Sequence, residues 1–147
     1  MLASWSIRRV RSDDAALVAA HGAFQLSDVM RRAEYEAWVR PRIESGAYVG
    51  WFATMNELVV GGAGAVLLDW GPTRANPSGS MARIVNVYTD VRYRRNGIAR
   101  TLVRTVLEHC EAAGVREFNL AASAEAQALY SSLGFESYPA EMRRRVS

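Results

Sequence analysis

Val87-Tyr88-Thr89-Asp90-Val91-Arg92-Tyr93-Arg94-Arg95-Asn96-Gly97-Ile98-Ala99 reads as an apolar strand, a basic turn and the start of an amphipathic helix. That order suits a polyphosphate. A helix N-terminus carries unpaired backbone N–H groups and a partial positive charge, so it receives an anion readily. Gly97 has no side chain to hold a phosphate away from the backbone. Arg92, Arg94 and Arg95 add full charges beside the turn, and guanidinium forks match phosphate oxygens.

A second stretch narrows the reading. Leu120 to Phe135 reads as a strand end, a short helix capped by Ser123, and a stop at Gly134. Arg94-x-x-Gly97-x-Ala99 resembles the pyrophosphate loop of the GCN5-related N-acetyltransferases, and Leu129-Tyr130-x-x-Leu133-Gly134-Phe135 resembles a signature near the end of the same family. The two lie about thirty residues apart with one helix and one strand between them, as in that family. Asn76-Pro77-x-Gly79 and Glu141-Met142 look like features of a bacterial branch of small single-domain members.

The chain has 147 residues, a length that fits one domain over 1–147 with a core needing neither disulfides nor metals. Cys110 is its only cysteine and falls on the apolar side of an expected helix, where it reads as a small buried hydrophobe. No Cys/His cluster has metal-site spacing, so no metal is expected. Met1 to Val10 does not read as a signal peptide, and no segment approaches a membrane span. A cytoplasmic location is the expectation. The net charge of +3 is mild and every basic residue is arginine. These are dispersed apart from the basic turn and Arg143-Arg144-Arg145, which reads as a solvated tail. Composition therefore points away from nucleic acid as partner.

Trp5 to Val10 is expected as a strand, followed by a helix from Ser12 through about Phe24 and a second over Val29 to Ser45. Pro41 predicts a kink or break in the second. Ala47 to Met55 and Leu58 to Leu68 form a hairpin about Asn56-Glu57. No helix follows Gly61, Gly62 and Gly64, so they read as a bulge or a close backbone approach. Trp70 to Ser80 is a loop, Ile84 to Thr89 the central strand, and Ile98 to Cys110 an apolar helical stripe ending at Gly114. Arg116 to Ala121 is a strand, Ser123 to Leu133 a helix, and Phe135 to Tyr138 with Glu141 to Val146 one or two last strands. This is a mixed α/β (α+β) order: a central, mostly antiparallel sheet flanked by helices, with a parallel pair across the helix between strands. It is also the order of the resembling family, whose acyl-CoA N-acyltransferase fold is the expectation.

The resemblance implies an N-acetyltransferase that uses acetyl-CoA as co-substrate. Its acceptor would be a small-molecule or peptide amine, attacking the thioester directly in a ternary complex. By resemblance, backbone amides from Arg95 through Asn96, Gly97 and Ile98 to Ala99 hold the pyrophosphate, with Arg94 and Arg100 as side-chain candidates. Val87, Tyr88 and Thr89 would pair with pantetheine as if adding a strand. Tyr130 takes the role of general acid toward the leaving thiolate, since a phenol of pKa about 10 keeps its proton at neutral pH. Asn86 cannot act as a base but can orient a water or the substrate amine. Glu57, Asp69 and Asp90 read as surface acids, and His21 and His109 as surface or packing histidines. Where the family branch often has histidine, this chain has Ala121, and where it often has proline, Val91. The first two helices and the Trp70 to Ser80 loop are the expected acceptor-binding elements, with Trp38, Trp51 and Trp70 as a candidate apolar pocket and Asp28, Glu34 and Glu36 as candidate attractors of a cation. Two other readings stay open: a non-catalytic acyl-CoA-binding regulatory module, and a toxin-type acetyltransferase acting on aminoacyl-tRNA. A homodimer is compatible with all of them.

Overall fold

The computed structural model describes residues 4–20 and 29–147, so His21, Phe24 and Asp28 lie outside the described residues. Its strands are β1 (Ser6–Arg9), β2 (Tyr48–Met55), β3 (Leu58–Asp69), β4 (Ser80–Thr89) and β5 (Glu117–Asn119). Its helices are α1 (Ala15–Val18), α2 (Val29–Ser45), α3 (Ile98–Ala112) and α4 (Gln127–Ser132). The strands form one sheet in chain order, antiparallel from β1 to β4 and parallel between β4 and β5. This is the mixed sheet expected. The parallel pair falls where α3 makes the crossover, because only a long connection returns the chain to the same edge. The β2–β3 turn sits at Asn56-Glu57, both with positive φ (49° and 67°), the geometry that follows strand twist in a two-residue hairpin.

Alternation along the strands divides the core between two faces. Val49 and Ala53 of β2, Ala63 and Ala65 of β3 and Ala82 and Ile84 of β4 pack with Ile98, Leu102, Val103, Val106 and Cys110 of α3. Tyr48 and Phe52 point the other way, into a cluster with Val10, Ala15, Val18 and Val39 beneath α1 and α2. Burying Leu102, Val103 and Val106 completely contributes roughly 1.5–3 kcal/mol each. The small residues on β3 bring α3 close: a Cβ on Gly61 would lie 2.9 Å from Ile98 Cγ2. The glycine cluster is thus a set of close approaches. Gly62 and Gly64 serve the opposite face, making room for the rings of Tyr88 and Tyr48.

Both α3 and α4 stop by the same device. Gly114 and Gly134 adopt left-handed φ (98° and 95°), and the next residue's amide returns to a carbonyl inside the helix. Val115 N donates to Cys110 O and Phe135 N to Tyr130 O, each at 3.0 Å. This is the Schellman arrangement, which satisfies carbonyls that the helix end leaves unpaired.

The structure refines four expectations. α2 runs through Pro41 without a break. One missing amide is offset by three preceding turns and by Tyr35, Val39 and Ile43, which are packed in the second core cluster. Phe135 to Tyr138 and Glu141 to Val146 form no strand. Residues 136–147 are exposed, so they bury no apolar face that would hold a strand on the sheet. β4 begins at Ser80 and not at Ile84, because Met81, Ala82 and Arg83 pair with both β3 and β5. The Trp70 to Ser80 loop is ordered by the buried Asn76, whose Nδ2 donates to Ser80 O at 3.0 Å and whose Oδ1 accepts from Ser78 Oγ at 2.7 Å.

Replacing Gly64 with alanine would set a Cβ 2.1 Å from Tyr48 Oη and 2.5 Å from Cζ. Because Tyr48 is buried, the ring cannot swing into solvent, and Gly64→Ala is expected to cost about 1–3 kcal/mol by overpacking. Chemical denaturation measures this; an unchanged midpoint would show that the ring is free to move.

Candidate functional site

β4 has one neighbour along its second half. It pairs with β5 only from Met81 to Arg83, where Arg83 Nη1 also donates to Asn119 Oδ1 at 3.1 Å. Beyond that point β5 ends while β4 continues to Thr89. A strand edge with no partner leaves amide and carbonyl groups for an extended ligand. The departure coincides with a bulge in β4. Gly62 pairs with Tyr88 and Gly64 with Val85, so Ala63 alone stands against Asn86 and Val87. Asn86 takes up the extra length with a left-handed φ of 57°, which asparagine tolerates better than most side chains.

Past Thr89 the chain makes a short 3-10 turn at Val91–Tyr93 and enters α3 through two left-handed residues, Arg95 (φ 67°) and Gly97 (φ 76°). No side chain caps α3. Thr101 N is the first amide bonded within the helix, to Gly97 O at 3.0 Å, so the amides before it remain available. Asn96 Nδ2 staples the turn, donating to Tyr93 O at 2.9 Å and Arg94 O at 3.3 Å. Residues 94–97 are exposed. The arginines differ. Arg92 is paired with Asp90 at 3.1 Å, which spends much of its charge locally. Arg94 Nε donates to Thr89 O at 3.3 Å, and Arg100 Nη1 donates to Ser132 Oγ, tying α3 to α4. Arg94 is exposed, as is Arg95.

Tyr130 lies on the α3 side of the sheet. It is 7% exposed and sits in the cluster that includes Val87 of β4. Its ring meets Phe135 edge-on, with centroids 5.9 Å apart. Burial pushes its phenol above the ordinary 10.0, so it keeps its proton through neutral pH.

On the opposite face the bulge turns the Asn86 side chain toward two tyrosines. Nδ2 donates to Tyr35 Oη of α2 at 2.9 Å and to Tyr48 Oη of β2 at 3.0 Å. Burial raises the pKa of Tyr35, of Tyr48 and of Tyr88, whose ring lies against Gly62. Neither Tyr35 nor Tyr48 stands out in the sequence as a site residue. The one local signal is the pair Gly50 and Gly64, which flank the place where the Tyr48 ring lies.

Other candidates fall elsewhere. Trp38 stacks on Tyr35 at 5.5 Å from α2, whereas Trp51 meets His109 of α3 at 5.3 Å on the other face. Trp70 is exposed beside β4's far end, roughly 20 Å from Asn86 at strand rise. The three tryptophans therefore form no common pocket. Glu36 is paired with Arg40 at 2.7 Å, while Glu34 and Glu57 are exposed. Asp69 Oδ1 accepts from Gly71 N and Asp90 Oδ1 from Arg92 N, both turn-forming contacts. His109 packs on Trp51, its pKa lowered by burial and by Arg9. Cys110 is buried, its thiol pushed up to about 11, as an inert core thiol should be.

A model of the acetyltransferase (GNAT) family matches residues 15–135. Human N-acetyltransferase 8 is 37% identical over 89 residues, covering 58% of this chain and 37% of that protein. The chain thus spans well under half the length of the curated relatives it matches. Among solved structures, a predicted acetyltransferase of Clostridium acetobutylicum, crystallised with acetyl-CoA, superposes with a TM-score of 0.86 at 21% identity, covering 97% of this chain and 96% of that one. A GCN5-related N-acetyltransferase of Ralstonia eutropha JMP134 gives 0.86 at 24% identity, covering 97% and 99%. With the open β4 edge, the uncapped α3 and the matched span of more than half its length, the chain belongs to the acetyltransferase (GNAT) family.

Proposed function

We propose that this chain moves an acetyl group from acetyl-CoA to a primary amine by direct attack in a ternary complex. The observation that carries the reading is the exposed, uncapped start of α3 beside the unpaired edge of β4. Those two features match the two parts of the co-substrate. Amides from Arg95 through Asn96, Gly97 and Ile98 to Ala99 would receive the pyrophosphate, with Arg94 and Arg100 nearby. Arg100 would have to leave Ser132 to take part through its side chain. The pantetheine amides would pair with the edge at Val87, Tyr88 and Thr89. The left-handed φ at Arg95 and Gly97 supports this use, since successive amides then converge on one side of the turn.

The amine nitrogen attacks the thioester carbon, a C–N bond forms and the C–S bond breaks. Tyr130 gives its phenolic proton to the departing sulfur and regains one from solvent. Asn86 holds the amine or a water, and the proton lost by the amine goes to solvent, because an amide side chain is not a base. The contribution of the fold is chiefly orientation of two reactants that otherwise meet by collision. On this reading 1–147 acts as one acetyltransferase domain in the cytoplasm. Among the described residues no helix is long and apolar enough to cross a membrane.

Calorimetric titration with acetyl-CoA, with ATP and desulfo-CoA as controls, tests the first half. Acetyl-CoA is expected to bind in preference to ATP, and Gly97→Glu to abolish binding while circular dichroism stays native. Normal affinity in that folded variant would remove the α3 turn from the site. Tyr130→Phe tests the second half. It should lower turnover by about 10²–10⁴ and leave acetyl-CoA affinity unchanged. Because burial raises this phenol, its acid form persists as pH rises and is lost only above 10.0; the variant should lack that alkaline limb. Unaltered turnover would place the proton donor elsewhere, and binding without turnover in the wild type would favour the regulatory module.

A further inference from the structure

Among the described residues, the side-chain amide of Asn86 is held at its nitrogen end only. Its nitrogen carries two hydrogens, and two phenol oxygens stand within 3.0 Å to receive them. The two tyrosines arrive from different elements, Tyr35 from α2 and Tyr48 from β2. Tyr48 is fixed from all sides. It is 2% exposed, and its ring occupies space that a Cβ on Gly50 or Gly64 would fill. Tyr35 is braced by Trp38, with centroids 5.5 Å apart. With both hydrogens engaged, the amide is held with its nitrogen toward the two phenols. The oxygen Oδ1 is left as the functional end, on the part of β4 that runs beyond its last pair with β5 at Arg83.

Resting on the proposed function, we propose that Tyr35 and Tyr48 are positioning residues that clamp the Asn86 amide so that Oδ1 accepts a hydrogen bond from the N–H of the acceptor amine. A fixed carbonyl oxygen can orient a neutral amine without taking its proton. The lone pair on nitrogen is then directed away from that N–H bond and toward the thioester. The left-handed φ of Asn86 belongs to the same device, because without the bulge alternation would turn residue 86 toward α3 and away from both phenols. The acceptors this arrangement favours are primary amines presented as the free base.

The test is a double-mutant cycle between Tyr48→Phe and Asn86→Gly, repeated with Tyr35→Phe. Phenylalanine keeps the ring that fills the space over Gly50 and Gly64, and glycine accepts the left-handed φ at 86, so both changes preserve the fold. Steady-state kinetics with an amine that the wild type acetylates should show Tyr48→Phe lowering kcat/KM for the amine about five- to tenfold, with KM for acetyl-CoA unchanged. In the Asn86→Gly background the same change should have no effect. Additive losses, or equal losses with and without the Asn86 side chain, would overturn the proposal, since a purely structural tyrosine acts independently of that amide. A wild type that binds acetyl-CoA but acetylates no amine would overturn both the proposed function and the clamp. A wild type that turns over with an additive cycle would overturn the clamp alone.

Discussion

One extra residue in β4 governs the geometry on both sides of the sheet. A regular strand would alternate through Val85, Asn86, Val87 and Tyr88, sending Asn86 toward α3 and Val87 toward α2. The bulge at Asn86 reverses the parity beyond it. Val87 joins the α3 core with Tyr130, and Asn86 joins Val85 on the side of Tyr35 and Tyr48. Bulges also bend and twist the strand that carries them, which is consistent with β5 following β4 no further than Arg83. The open edge, the place of Val87 against Tyr130 and the amide cluster therefore share one origin. Removing the bulge would slide all of them out of register together.

What surrounds the bulge is arranged to make it tolerable. A left-handed asparagine inside a strand is strained backbone, and such strain persists only where neighbours over-determine it. Here two hydrogen bonds to buried or half-buried phenols hold its side chain, and Gly62 and Gly64 on β3 admit Tyr88 and Tyr48 across from it. The helix on the other face is fixed equally firmly. The Leu133-Gly134-Phe135 cap draws the Phe135 amide to the Tyr130 carbonyl and its ring to the Tyr130 ring. The short α4 could not hold a side chain in place by helix propensity alone. Its cap, together with the Arg100–Ser132 hydrogen bond to α3, fixes the Tyr130 ring in the α3-side core.

The parts legible in the sequence are those set by local chemistry. Gly97 after a basic turn announced the start of α3, Asn56-Glu57 the hairpin, and Leu133-Gly134-Phe135 the end of α4. Element order was enough to give the mixed sheet and its parallel pair. The parts set by long-range contact were not legible. Nothing near Tyr35 or Tyr48 tells that they meet Asn86, residues 51 and 38 positions away. Trp38, Trp51 and Trp70 look alike in composition yet fall on α2, on the α3 face of the sheet and in a distant loop. Pro41 breaks helices by local rule, but Val39 and Ile43 bind α2 to the core on either side of it. The last two expected strands failed because residues 136–147 are exposed and bury no apolar face that would hold them on the sheet.

The two halves of the site are therefore built from different materials. The proposed co-substrate side uses backbone amides and a strand edge, which depend on φ and ψ at a few positions and hardly on side-chain identity. That leaves only Gly97 and the left-handed Arg95 under strong local constraint in the turn. The proposed acceptor side uses side chains drawn from α2, β2 and β4, each dependent on the others for its orientation. A change in any one alters what the remaining groups can hold. Acceptor preference can therefore diverge by substitution at Tyr35, Tyr48 or Asn86 while the α3 turn stays as it is, because no hydrogen bond among the described residues links that cluster to residues 94–99. On the proposed function, a hydroxyl removed from the cluster changes which amine is held, and a side chain added at the turn changes whether acetyl-CoA is held at all.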